Sequence, residues 1–261
     1  MDRPAKRKYD ALDYLPWKRL TEYAKGSVIY SGNSGSLYLV ASGRVKVSRV
    51  AADGYETTVR IVPREGLFGE CSLINADGGE RAVALDWVNV MSWSKAEIEH
   101  QIEKTPGLGL ALLEEFVIAA HDMEDRVQAL ATRTTPERVM LSLLQLQRTL
   151  GEPQADGFVR MASLSHIVIA QHVGTSREIV SAQMSRLRSF GMIRYSRKYI
   201  DVDCEALEQA LLNGGPALQP RGAVYTLARS QQPTGEVSHP RTARVSPDRC
   251  TFPVVRRLKE R

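Results

Sequence analysis

The chain has 261 residues, 43% of them hydrophobic, and a formal net charge of +5. That is enough apolar material for a proper core and enough length for two ordinary domains, while no apolar run reaches the roughly 18 to 20 residues of a membrane span. The opening segment MDRPAKRKYDALDY also lacks the apolar stretch of a secretion signal, so a soluble protein of the cytoplasm is expected.

Charge and metal-binding residues are unevenly placed. Residues 1–159 carry 19 basic and 22 acidic side chains, 160–200 carry 7 and 1, 201–213 carry 0 and 4, and 214–261 carry 9 and 3. A local basic segment is the footprint of a polyanion partner or, more blandly, a solvated face. Cys71, Cys204 and Cys250 lie far apart, which suits neither a disulfide framework nor a metal cluster. His166 and His172, six apart on a predicted helix, fall on different faces. No metal site is expected.

From Gly26 to about Ser94, short β-rich runs alternate with glycine turns: SVIY, SLYLV, GRVKVSRV, TTVRIV and AVALDWVNVMSW. Such spacing predicts an antiparallel barrel or jelly roll. GRVKVSRV and TTVRIV form a predicted hairpin with Asp53 and Gly54 in the turn. Beyond Ser94 the pattern becomes helical. Between Pro106 and about Thr134, Leu113, Phe116, Ala120, Met123, Val127 and Leu130 recur at spacings of three and four, the pattern of a coiled-coil seam. Packing on the barrel would explain such a seam; a homodimer explains its length better. Thr134, Thr135, Pro136 and Glu137 mark a helix start, a threonine N-cap before proline at the first helical position. The helix that follows, to about Leu150, presents Val139, Leu143, Leu146 and Leu150.

A short helix is predicted from Ser165, its N-cap, to about His172, with Ile169 and Val173 inward. Gly174 supplies a tight turn, and a second helix runs from Thr175 or Ser176 to about Phe190. Its buried stripe is Val180, Met184 and Leu187, which turns Arg177, Glu178, Ser181, Ala182, Ser185 and Arg188 outward. Two short helices about a glycine turn make a helix-turn-helix. Arg177 can donate two parallel hydrogen bonds to guanine and Glu178 can accept from cytosine. Ser165 and Ser176, at helix starts, suit phosphate. Thr175 and Glu178 alternatively match a capping box. MIRYS and YIDV then form a small hairpin with Arg197 and Lys198 at its tip, placed as a wing would be. Beyond Asn213 the chain is rich in proline, with six of its twelve in the last 48 residues, and a disordered basic tail is expected.

These residues carry a resemblance. LSHIVIAQHVGTSREIVSAQMSRLRSFGMI resembles the DNA-binding region of the CRP/FNR superfamily of bacterial regulators, typically IAxxVGTSREtVSRxLxxLxxxGhI. SLYLVASGRVKVSRV and GLFGECSL resemble its cyclic-nucleotide-binding-like barrel, and the likeness covers about residues 17–205. It implies an α+β chain: a jelly-roll sensor at 17–105, a dimerisation helix at 106–134, a winged helix-turn-helix at 135–213, and a tail at 214–261. The implied partners are double-stranded DNA with a palindromic operator, a second copy of the chain, and RNA polymerase. Ala182 stands where the family usually has arginine, so the operator is expected to differ.

The resemblance also implies effector-pocket residues. Gly69 and Glu70 match the family's ribose-binding pair, with Ser72 just beyond. Arg81 lies near the phosphate arginine but is followed by Ala82. Anchored instead on AVALDWVNV, the alignment leaves Gly78 and Gly79 there. Met123 and Glu124 stand at the base-contacting positions and match poorly. A cyclic phosphate without a charge-assisted partner is disfavoured, so no cofactor is assigned and cyclic nucleotide stays the weaker alternative. A cupin-type enzyme is disfavoured because residues 26–94 hold no histidine. A protein-interaction module without specific DNA binding is the remaining alternative.

Overall fold

The computed structural model describes residues 10–74 and 79–213; the side chain of Ser72, Gly78 and the predicted tail at 214–261 lie outside the described residues. Eight strands build the first half: β1 Thr21–Tyr23, β2 Val28–Ser31, β3 Ser36–Ser42, β4 Val45–Val50, β5 Glu56–Val62, β6 Leu67–Phe68, β7 Glu80–Ala84 and β8 Val88–Ser94. They pair antiparallel in two sheets, β1-β8-β3-β6 and β2-β7-β4-β5, the layout of a jelly roll. Val40, Val45, Val47, Val62, Phe68, Ala82 and Val90 meet between the sheets, each buried because alternate residues of a strand share a face.

The β4–β5 hairpin runs from Val45 opposite Val62 to Val50 opposite Glu56, with Gly54 at φ +83° in its turn. AVALDWVNVMSW, which reads as one strand, is two strands separated at Leu85–Trp87. Gly43 permits that corner: at φ +81°, a Cβ there would stand 2.5 Å from the Trp87 carbonyl.

Three helices follow: α1 Lys95–Lys104, α2 Gly107–Thr132 and α3 Thr135–Leu150. Ser94 and Glu97 close a capping box at the start of α1. Leu108, Ala111 and Leu112 of α2 pack with Leu37, Met91 and Trp93 on the outer face of a barrel sheet. At α3 the N-cap is Thr134, one residue before the threonine that directly precedes the proline. Helical geometry begins at Thr135, so Pro136 is the second helical residue and not the first. The Glu137 carboxylate accepts from the Thr134 N–H at 2.8 Å and its hydroxyl at 2.6 Å.

The predicted seam on α2 is largely open. A helix turns about 100° per residue, so residues spaced alternately by three and four keep to one side of it. Leu113, Ala120 and Val127 are exposed, and Leu110 and Val117 extend that outward stripe. Met123 and Leu130 are exposed as well, while Phe116 is partly buried against the barrel-side core. Five of the six predicted seam residues are thus exposed.

The remaining elements are β9 Glu152–Pro153, β10 Val159–Ala162, α4 His166–Val173, α5 Arg177–Ser189, β11 Ile193–Tyr195, β12 Tyr199–Val202 and α6 Cys204–Leu212. The four strands form one sheet, β11-β12-β10-β9. Ile169, Val180, Met184, Leu187, Ile193, Ile200 and Leu207 close the core of this winged helix.

Candidate nucleic-acid interface

Two capped helices present the outward face. Ser165 caps α4, its Oγ accepting from the Val168 N–H at 3.3 Å, and Gly174 at φ +75° ends α4 in the left-handed region. Ser176 caps α5, accepting from the Ile179 N–H at 3.4 Å. A hydroxyl that accepts at a cap keeps its own proton to donate, which suits Ser165 to phosphate, while that of Ser176 is given to the Glu178 carboxyl. The capping box read from Thr175 and Glu178 does not form, because the helix starts one residue later and Ser176 takes the cap. Glu178 stays exposed; its own backbone N–H and the Ser176 hydroxyl hold its carboxyl below the usual range.

Val180, Met184 and Leu187 are almost fully buried, and Arg177, Glu178, Ala182, Ser185 and Arg188 are exposed on the other side of α5. Ser181 is half-buried: its Oγ lies 2.8 Å from Nδ1 of His166, a partner that periodicity does not reveal. Thr175 is half-buried in the turn. Arg197 and Lys198 are exposed at the β11–β12 turn, and the Arg188 guanidinium stands 5.3 Å over the Tyr195 ring. Behind the wing, Arg160 makes paired bonds of 2.7 and 2.8 Å to Asp201. That pair leaves Arg160 serving the fold.

The barrel holds a second set of polar groups. Glu70 forms an ion pair with Arg60 of β5, and Glu80 accepts from the buried Tyr30 hydroxyl. Burial, then the charge of Glu80, push the Tyr30 phenol well above its ordinary value. Gly69 at φ +87° sits tightly against β3: a Cβ would lie 2.7 Å from the Ser36 carbonyl. Arg81 is corrected by the strand alternation of β7. Glu80 and Ala82 are the buried residues there and Arg81 faces the other way, so it does not reach the barrel interior. A cavity of about 300 Å³ between barrel and α2 is lined by Arg60, Glu70, Phe116, Met123, Arg126 and Gln145.

Among the described residues of that cavity, neither arginine is left free for a cyclic phosphate. Among the described residues, Arg60 is already neutralised by Glu70, and Arg126 is committed to backbone carbonyls. Arg126 donates to Val59, to Thr58 at 3.0 Å and to His172 at 2.8 Å, joining β5, α2 and α4. Further contacts join barrel to winged helix. Arg44, paired with Asp86 at 2.7 Å, donates to the Ala162 carbonyl at 2.8 Å. Gln171 of α4 accepts from Lys46 at 3.2 Å and donates to Glu56 at 3.0 Å. Burial draws the Glu56 carboxyl up, but Lys46, Ser48 and Gln171 together hold it below its usual value. None of these links has a signal in the spacing of the sequence, since each joins residues far apart along the chain.

A jelly roll, a long helix with an exposed apolar stripe and a winged helix with a polar outward face define a sensor joined to a DNA reader. Comparison with known proteins agrees. Residues 20–105 match the cyclic nucleotide-binding domain family and residues 137–210 the Crp-like helix-turn-helix domain family. The global nitrogen regulator of Synechocystis sp. is 32% identical over 169 residues, covering 64% of this chain and 75% of that protein. The cyclic AMP receptor protein of Thermus thermophilus is 30% identical over 209 residues, covering 78% and 91%. A solved CRP/FNR-family transcriptional regulator from T. thermophilus superposes with a TM-score of 0.58 at 26% identity, covering 73% of this chain and 97% of that one. The chain belongs to the CRP/FNR family of DNA-binding transcriptional regulators.

Proposed function

We propose that the chain works as a homodimer in the cytoplasm, reading a roughly palindromic operator through two α5 helices and acting with RNA polymerase. It acts by binding, not by catalysis. The observation that carries this reading is the sidedness of α5, whose apolar stripe is buried while Arg177, Glu178, Ser185 and Arg188 stay outward. Arg177 reads a guanine, Glu178 a cytosine, and Ser165, Arg197 and Lys198 hold phosphates. The α2 stripe of Leu110, Leu113, Val117 and Val127 supplies the dimer contact, setting the two α5 helices about one DNA turn, roughly 34 Å, apart. Changes in the barrel reach the reader through Arg44, Gln171 and Arg126.

Selection from a random DNA pool at stated salt tests the reading. A palindromic motif is expected, with affinity falling steeply as salt rises. No enriched motif, with or without cyclic AMP, would favour a protein-interaction module. Val117→Glu with Val127→Glu is expected to give monomers by light scattering; a dimer would show that another surface joins the copies.

A further inference from the structure

His166 opens α4, and its Nδ1 lies 2.8 Å from Oγ of Ser181 on α5. Ser181 stands midway along the outward line of α5, four residues after Arg177 and four before Ser185. The imidazole also meets the Tyr195 ring edge-on, 6.0 Å between centroids, and Tyr195 in turn carries Arg188. One ring thus touches the first helix, the reading helix and the wing.

The hydrogen bond has two forms with opposite consequences. With its proton on Nε2, a neutral imidazole accepts at Nδ1 from the Ser181 hydroxyl, and the serine lone pairs are left for another donor. A protonated imidazole donates from Nδ1, and the serine proton is released. An outward acceptor suits the amino group of adenine or cytosine. An outward donor suits O6 or N7 of guanine, or O4 of thymine.

We propose that His166 is a positioning residue for DNA reading whose protonation sets whether Ser181 offers the DNA an acceptor or a donor. The proposal rests on α5 being the reading helix. Around the ring, α5 contributes Ser181 and the charge of Arg177, and β11 contributes Tyr195. Ser163, Ser196, Arg197 and Met184 share with it a cavity of about 320 Å³. Among the described residues no carboxylate forms an ion pair with it. Burial, then Arg177, lower its pKa from 6.5 and so favour the neutral ring, in which Nδ1 accepts from Ser181 when the proton sits on Nε2. Nearby DNA phosphates act oppositely, since negative charge favours the imidazolium.

The test is pool selection with the full chain at about pH 5 and about pH 8, at one salt concentration, on either side of the ordinary imidazole range. Wild type, Ser181→Ala, His166→Gln and Arg177→Ala are compared, with circular dichroism confirming the fold at both pH values. The wild type is expected to change its preferred base at one position per half-site by about fivefold to tenfold, the size of one hydrogen bond. Ser181→Ala and His166→Gln are expected to abolish that change. Arg177→Ala is expected to lose a different position at both pH values. A wild type with one preference throughout, or a change that persists in Ser181→Ala, would overturn the proposal; persistence would assign the effect to imidazolium and phosphate. If Arg177→Ala leaves the motif untouched, the reading-helix assignment fails with it.

Discussion

In the barrel, polar groups are answered from within: Glu80 by the Tyr30 hydroxyl, Glu70 by Arg60, and the rings of Tyr30, Tyr38 and Phe68 lie stacked beside them. The outward face of α5 is the reverse, with Arg177 and Arg188 exposed over an apolar stripe and in no ion pair among the described residues. The two regions therefore meet partners on different terms. A ligand entering the cavity beside Glu70 must replace interactions already made, whereas DNA meets donors left free. Charge-assisted pairs are strong in confined surroundings, so Arg60 and Glu70 hold each other in place beside that cavity.

The largest expected effect tests the apolar support of the reading face. Met184 is fully buried, and Met184→Ala should cost about 2 to 5 kcal/mol in urea unfolding. A cost near zero would mean that the face does not depend on its stripe. Arg177→Ala should lower operator affinity by about 1 to 3 kcal/mol and leave stability within about 0.5 kcal/mol, since its side chain is exposed. Fluorescence anisotropy on matched and scrambled duplexes measures the first, thermal melting the second.

A pH dependence separates the regions further. His172 is buried with Nδ1 2.7 Å from the Ser142 hydroxyl, and burial, then Arg126, bring its pKa down to about 3. The folded ring stays neutral while the unfolded ring takes a proton below about 6.5. Stability should thus fall as pH drops from about 6.5 towards 3, by at most about 1.4 kcal/mol per pH unit, and His172→Asn should flatten that part of the curve. The smallest effect is in the barrel. Arg60 and Glu70 are each about one-quarter exposed (24% and 25%), so screening limits their coupling to about 1 kcal/mol in a double-mutant cycle. A coupling of zero would remove the barrel's half of the contrast.

The winged helix was legible because local rules specify it. A serine cap, a glycine in the left-handed region and a three-four apolar stripe each act within one turn of chain. His166 escaped that logic: its partner Ser181 lies 15 residues on, and only the crossing of α4 with α5 brings them together. The barrel strands were legible by alternation, but the corner at Leu85–Trp87 lies inside an apolar run, and the space beneath it is made by Gly43 on a different strand. On α2, spacing disclosed the apolar seam, five of whose six residues are exposed, but not that Phe116 packs against the barrel-side core.

The sequence by itself determined the element types, the order of barrel, long helix and winged helix, and the outward set on α5, because short-range sterics, capping and periodicity act along the chain. Tertiary structure alone decided that Arg81 turns from the barrel interior, that Arg60 answers Glu70, and that Arg44, Gln171 and Arg126 join the reader to the sensor. The separations from 46 to 125 residues in those joining contacts give the reason: a hydrogen bond needs two groups within about 3 Å, and only the packed chain sets which groups arrive there.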